Sequence, residues 1–274
     1  MKISICTISF RHYLLSIDQI AYWGQTQGIH GIELWGVHAK NLSNDFHYGK
    51  EWLHGFGLET SMISDYLPLD FPSSKIIGET KELSSLAKHW GTKKIRTFAG
   101  NKGSHETSKE ERRKLVESIK LICDLLESEG QFLLVETHPN TLTDNVLSTL
   151  TLLDEVNHPA LKVNFDVLHI WESGVDPVKA LKYLLPYISH FHFKNIASRK
   201  DLNVFAPNNV YAAAGSRVGM VPLFDGAVNY QEFIREVQDC KLDVGASLEW
   251  FGPNVKQVLE NDFSMVKRMF QVVQ

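Results

Sequence analysis

The chain has 274 residues, of which 43% are hydrophobic and 22% charged, and its formal net charge is −4. This is ordinary globular composition, long enough to bury roughly three quarters of the unfolded surface in one large α/β barrel or two smaller domains. The charge excludes a broad basic face for nucleic acid, no apolar run approaches the ~18 residues that cross a bilayer, and Cys6, Cys123 and Cys240 are too scattered for a metal or disulfide motif.

The opening run from Met1 to Thr7 enters a strand pattern at once, without the apolar core of a signal peptide, so a reduced, cytoplasmic setting is expected. Ile3 to Phe10 is β-rich. A helix is predicted from about Ser16 to Gln27, with Gly28 as its C-terminal cap. Gly31 to Trp35 is the second strand, followed by a helical stretch to about Phe56, and Leu58 to Tyr66 is the third. Ser73 and Ser74 are placed to cap a helix that runs to Trp90 and ends at Gly91; Lys94 to Phe98 is the fourth strand. Thr107 to Glu129 is the clearest helix. Thr107 and Glu110 have capping-box spacing, Val116, Ile119, Ile122, Cys123 and Leu126 form an apolar stripe, and Gly130 closes it.

Phe132 to Glu136 then runs apolar into Thr137 and His138 before Pro139 stops the strand. A helix over Thr143 to Val156, a strand over Leu161 to Leu168, a helix from Pro177 to before Pro186 and a strand over Ile188 to Lys194 follow. After a long connection, 196–228, come a helix over Tyr230 to Gln238, the eighth strand over Ala246 to Phe251 and a last helix over Asn254 to Phe270. Eight strand–helix alternations without a linker predict a single (β/α)8 TIM barrel spanning 1–274. A doubly wound open sheet is disfavoured, since no Gly-rich phosphate turn follows the first strand. The long connection is expected to act as a lid or binding loop.

In such a barrel the active site forms where the strands end. Those ends carry Glu33, Tyr66, Arg96, Glu136 with His138, Asp166, His192 with Lys194, and Glu249. Strand side chains alternate between faces, so His190, His192 and Lys194 face the axis while Phe191 and Phe193 face the helices. A lone polar residue at a strand end is usually solvated. Four consecutive strands would put three carboxylates and an imidazole around one axis, and unpaired carboxylates that close repel strongly unless a divalent cation joins them. Glu136, Asp166, His192 and Glu249 are therefore the expected ligands, of a kind that suits Mn2+, Mg2+, Co2+ or Zn2+. Arg96 and Lys194 imply an anionic group on the substrate, unless each pairs with one of the carboxylates. His138, two residues beyond a ligand, is placed as a general acid or base. His169 is expected to bind substrate, orient a ligand or serve structure alone.

The strand-end pattern resembles the xylose isomerase-like barrels. Several segments narrow the likeness: Phe10 to His12, Gly31 to Gly36, Met62 to Tyr66, Lys94 to Gly100, Glu136 to Asp144, Leu168 to Gly174, His192 to Asn195, Pro207 to Gly215 and Ser247 to Phe251. They are similar to the bacterial 3-dehydroshikimate dehydratases of petrobactin siderophore biosynthesis, nearly end to end. One departure is a slightly longer segment at Asp239 to Gly245, expected on the side away from the site.

The resemblance implies dehydration of 3-dehydroshikimate, a small anionic cyclic substrate, to protocatechuate with a divalent metal, commonly manganese. It implies Glu136, Asp166, His192 and Glu249 as ligands and His138 as the catalytic histidine, removing a proton next to a metal-polarised ketone. Tyr66, Arg96, His169, Lys194 and Tyr211 match substrate-contacting positions. The rivals are a sugar or polyol isomerase, epimerase or dehydratase of the same barrel, its DNA-repair endonuclease branch, and a non-catalytic barrel that binds a small acid. The repair branch needs several metals and a basic surface. Nothing in the sequence sets an oligomeric state.

Overall fold

The computed structural model describes residues 1–271. Eight parallel strands, Ile3–Cys6, Gly31–Trp35, Glu59–Ser64, Lys94–Thr97, Phe132–Glu136, Leu161–Asp166, Ile188–Phe193 and Gly245–Leu248, pair in chain order, and the last pairs with the first to close a barrel. Helices follow the strands and cover their outer faces, as the alternation requires. The register sets Ser64 beside Arg96, Glu136 beside Asn164, and His192 between Asp166 and Ser247. Polar strand ends from different strands therefore share one rim.

The strands are shorter than their patterns. The first ladder stops at Cys6 and Thr7–Phe10 coils into a 3-10 turn; the sixth stops at Asp166, and Val167–Glu172 is already helix. Alternation of side chains continues past the last ladder hydrogen bond, so a pattern cannot mark where pairing ends. The stretch predicted as helix to Phe56 divides into Gly36–Leu42 and Lys50–Gly55.

Local chemistry explains the helix ends. Ser16 and Gln19 form a reciprocal capping box on Ile17–Gln27, and Gly28 ends that helix at φ 72°, a conformation glycine reaches without strain. On Lys109–Glu127 the box is Ser108 with Glu111, one residue beyond the Thr107–Glu110 spacing read from sequence. Thr107 is diverted: its hydroxyl donates to the Gly103 carbonyl at 2.9 Å, which leaves Ser108 as the cap. The expected stripe on this helix is the buried one. Ser73 is the first residue of Ser73–Trp90 and no side chain caps it; Gly91 ends it at φ 75°.

The core lies between strands and helices. Phe191 and Phe193 point outward from the seventh strand, as expected, and pack on Phe165, Tyr230 and Phe233 with ring centroids 5.3–5.8 Å apart. The connection after the seventh strand is ordered by short pieces. Asn195–Ile196 pairs antiparallel with Met220–Val221, and a 3-10 helix, Arg199–Phe205, leads into the turn Pro207–Val210. Asn195 closes its base, donating to the carbonyls of Leu223 (2.6 Å) and Val228 (2.9 Å). Gly226 permits that closure, because a Cβ there would lie 2.3 Å from the Asn195 side chain. Asp239 to Gly245 leads into the N-terminal end of the eighth strand, away from the rim that carries the polar ends. No helix among the described residues is long and apolar enough to cross a membrane.

Candidate active site

A cavity of about 720 Å3 opens at the C-terminal ends of the strands. Glu136 and Glu249 line its floor, and Asp166 and His192 are buried against them. His192 Nδ1 lies 3.4 Å from Glu136, 3.6 Å from Glu249 and 4.0 Å from Asp166. Ligand atoms of Asp166, His192 and Glu249 all lie within 4.8 Å of one another. The fold thus brings together the four residues expected from sequence, from four consecutive strands.

These residues fit a divalent cation. His192 Nδ1 and Glu136 Oε2 are buried polar atoms without a hydrogen-bond partner, an arrangement costly for a protein unless a ligand satisfies them. Three carboxylates and an imidazole suit a hard or borderline ion, and no cysteine belongs to the cluster. Glu136, Asp166 and His169 form an overlapping set within the same distance. His169 is less free to ligate, because its Nδ1 is engaged with Glu172 at 2.7 Å and its Nε2 stands 3.8 Å from Asp166.

Arg96 and Lys194 line the cavity but are also paired with its carboxylates. Lys194 Nζ donates to Asp166 (2.5 Å) and Glu249 (2.7 Å), while Arg96 Nε lies 2.9 Å from Glu136 Oε2. The Arg96 contact is an ion pair without hydrogen-bond alignment, so Nε and Nη1 have no accepting partner. Burial opposes ionisation of Glu136, but Arg96 and His192 outweigh it and hold its carboxyl well below the usual range. Burial likewise opposes a charge on Lys194, and Asp166 with Glu249 raises it well above the ordinary lysine value.

His138 sits on the wall with its ring centroid 4.2 Å from Phe98 and 4.4 Å from His169. Burial among these groups pushes its pKa down to about 3, so the imidazole is neutral. Its Nδ1 lies 2.8 Å from the Pro139 carbonyl, which can only accept. Nδ1 therefore carries the hydrogen, and Nε2 keeps its lone pair. Tyr66 and Tyr211 meet across the cavity through their hydroxyls at 2.5 Å.

Sequence reasoning left three cavity features unassigned. Glu33 was noted at its strand end without a role. It is fully buried and accepts from His192 Nε2 at 3.0–3.1 Å and from the Ser64 hydroxyl. Burial opposes its charge, yet His192 holds its carboxyl below the usual range. The signal was present, since Gly31 and Glu33 alternate inward with Ile32. Arg11 and His12 also line the cavity. They follow the first strand in a turn, where strand alternation gives no guidance.

A closed parallel barrel with a carboxylate–imidazole cluster at the strand ends defines a class. The chain belongs to the xylose isomerase-like TIM barrel family, whose sequence profile matches residues 23–269. Within that class it is 51% identical to 3-dehydroshikimate dehydratase of Bacillus anthracis over 280 aligned positions, covering 100% of this chain and 99% of the relative. The crystal structure of a probable 3-DHS dehydratase involved in petrobactin synthesis from Bacillus anthracis superimposes with a TM-score of 0.93 at 51% identity, covering 97% of this chain and 99% of that one. A xylose isomerase-like barrel from Mycobacterium smegmatis, solved with magnesium, shares the fold alone: 17% identity, TM-score 0.71, 98% of this chain and 96% of the other.

Proposed function

We propose that this protein is a hydro-lyase that converts 3-dehydroshikimate to protocatechuate (3,4-dihydroxybenzoate) and water, with the product supplying the catechol of a siderophore. The observation that carries this reading is the 51% identity, across the whole chain, to a dehydratase of that name. The position of His138 beside the carboxylate cluster, with Nδ1 held by the Pro139 carbonyl and the lone pair left on Nε2, supports it.

Glu136, Asp166, His192 and Glu249 would hold one divalent ion, Mn2+ in our reading, which when bound supplies Lewis-acid polarisation of a carbonyl. His138 Nε2 takes the proton from the ring carbon next to the ketone, its hydrogen-bonded Nδ1 fixing the ring for that transfer. The same proton passes to the departing hydroxyl, which leaves as water. Enolisation of the remaining ketone gives the aromatic catechol, and aromaticity makes the sequence one-way. Tyr66, His169 and the pair Arg96–Lys194 orient the ring. Residues 196–228 act as the lid, with Tyr211 meeting Tyr66 over the cavity to exclude water.

The test is to incubate Mn2+-loaded protein with 3-dehydroshikimate and follow catechol absorbance. Protocatechuate formation is expected, and His138→Gln should reduce the rate about 10²–10⁴-fold. No product from the wild type would overturn the function. Wild-type turnover in the variant would overturn only the role of His138.

A further inference from the structure

Arg11, Arg96 and Lys194 all line the cavity. Two of these cations are held by carboxylates: Arg96 by Glu136, and Lys194 by Asp166 and Glu249. Arg11 is different. Among the described residues no carboxylate pairs with it; Nη1 donates to the Ile8 carbonyl (2.9 Å), Nη2 to the Val210 carbonyl, and Nε is buried with no partner. Its guanidinium lies 4.9 Å from the Phe251 ring centroid and 5.8 Å from that of Tyr211. It is therefore fixed between the turn after the first strand, the end of the eighth strand and the loop carrying Tyr211.

Charge balance gives this placement a consequence. Four carboxylates, Glu33, Glu136, Asp166 and Glu249, are buried around the floor. Arg96 and Lys194 offset two of them, and a divalent ion would offset the other two. The floor then has no positive charge left for an anionic substrate; without the ion it is net negative and repels one. A ring carboxylate entering this cavity needs a cation outside that balanced set. Arg11 is that cation, and Nε is an unused donor on it. Burial and nearby Arg217 push its pKa down from the usual arginine value, as expected for a positive group short of a counter-charge.

We propose that Arg11 anchors the substrate carboxylate and selects ring acids over neutral rings, while Arg96 and Lys194, besides orienting the ring, balance the carboxylates of the floor. The inference rests on the dehydratase reading for the identity of the acid. The test compares binding of 3,4-dihydroxybenzoate and neutral 3,4-dihydroxybenzamide to Mn2+-loaded protein by calorimetry, for wild type, Arg11→Gln and Arg11→Lys. Arg11→Gln should bind the acid at least about tenfold more weakly and the amide within twofold of wild type, with Arg11→Lys between. The loss in turnover should fall mainly on KM. Equal weakening of both ligands would mean that Arg11 only holds the Val210 loop, and no weakening of either would remove it from recognition; both outcomes overturn the proposal. Failure of wild type to form protocatechuate strikes the dehydratase reading instead, and the acid–amide comparison remains readable.

Discussion

His192 is gripped from both sides of its ring. Nε2 donates to Glu33 at 3.0–3.1 Å, and Nδ1 faces Glu136, Glu249 and Asp166. A carboxylate on the far nitrogen fixes both the tautomer and the ring orientation of a metal-binding histidine. Glu33 is itself fixed by the Ser64 hydroxyl, and Ser247 meets neighbouring His190 at 2.7 Å. Replacing Glu33 with Gln keeps the shape but removes the charge, so divalent-metal affinity is expected to fall about 10- to 100-fold. Calorimetric titration of the metal-stripped variant checks this; wild-type affinity with an unchanged circular dichroism spectrum would show that Glu33 does not position the ligand. His138 illustrates a different limit of the sequence. Its position beside Glu136 was legible, but the depth of its burial depends on Phe98, just past the fourth strand, and His169, in the helix Val167–Glu172, packing against its ring.

At the scale of elements, the helix Lys109–Glu127 shows what local chemistry decides. The run Thr107-Ser-Lys-Glu-Glu111 offers two overlapping capping boxes, and sequence spacing favours neither. The turn before the helix chooses, by taking the Thr107 hydroxyl for the Gly103 carbonyl. Ser108→Ala should therefore cost about 1 kcal/mol in denaturant unfolding, and Thr107→Ala clearly less. The reverse order would show that Thr107 is the cap. Asp166 combines two duties: it ends the sixth strand within the carboxylate cluster, and its side chain accepts from His169 N at 3.1 Å to start Val167–Glu172. That cap explains why the strand stops there although Val167 and Leu168 continue an apolar pattern.

Across the whole molecule, the last helix is tied to the base of the long connection by one buried carboxyl. Asp262 accepts from Leu223 N at 3.0 Å, and burial pushes its pKa up to about 7, with Asp225 adding to the rise. In the unfolded chain the group titrates near 4. Between about pH 4 and 7 the unfolded chain gives up a proton that the folded chain keeps, so this residue lowers stability as pH rises through that window; above pH 7 its effect is constant. Asp262→Asn stays neutral throughout. Relative to the variant, wild type should lose on the order of 1 kcal/mol or more between pH 4.5 and 7.5, read from urea midpoints at several pH values. Parallel pH dependences for the two proteins would show that Asp262 ionises normally.

The sequence by itself determined the barrel, because eight alternating strand and helix patterns leave few ways to bury their apolar faces. It also determined which side chains face the axis, since that follows from the two-residue period of each strand: Glu136, Asp166, His192 and Glu249 could be named before any distance was known. Only the tertiary structure decided the partners. Lys194 spans Asp166 and Glu249, Glu33 holds His192 from 159 positions away, Tyr66 meets Tyr211 from 145, and Arg11 reaches Val210 from 199. Those pairings depend on the register in which the barrel closes and on how its loops cross the rim. Neither is encoded in the periodicity of any one segment.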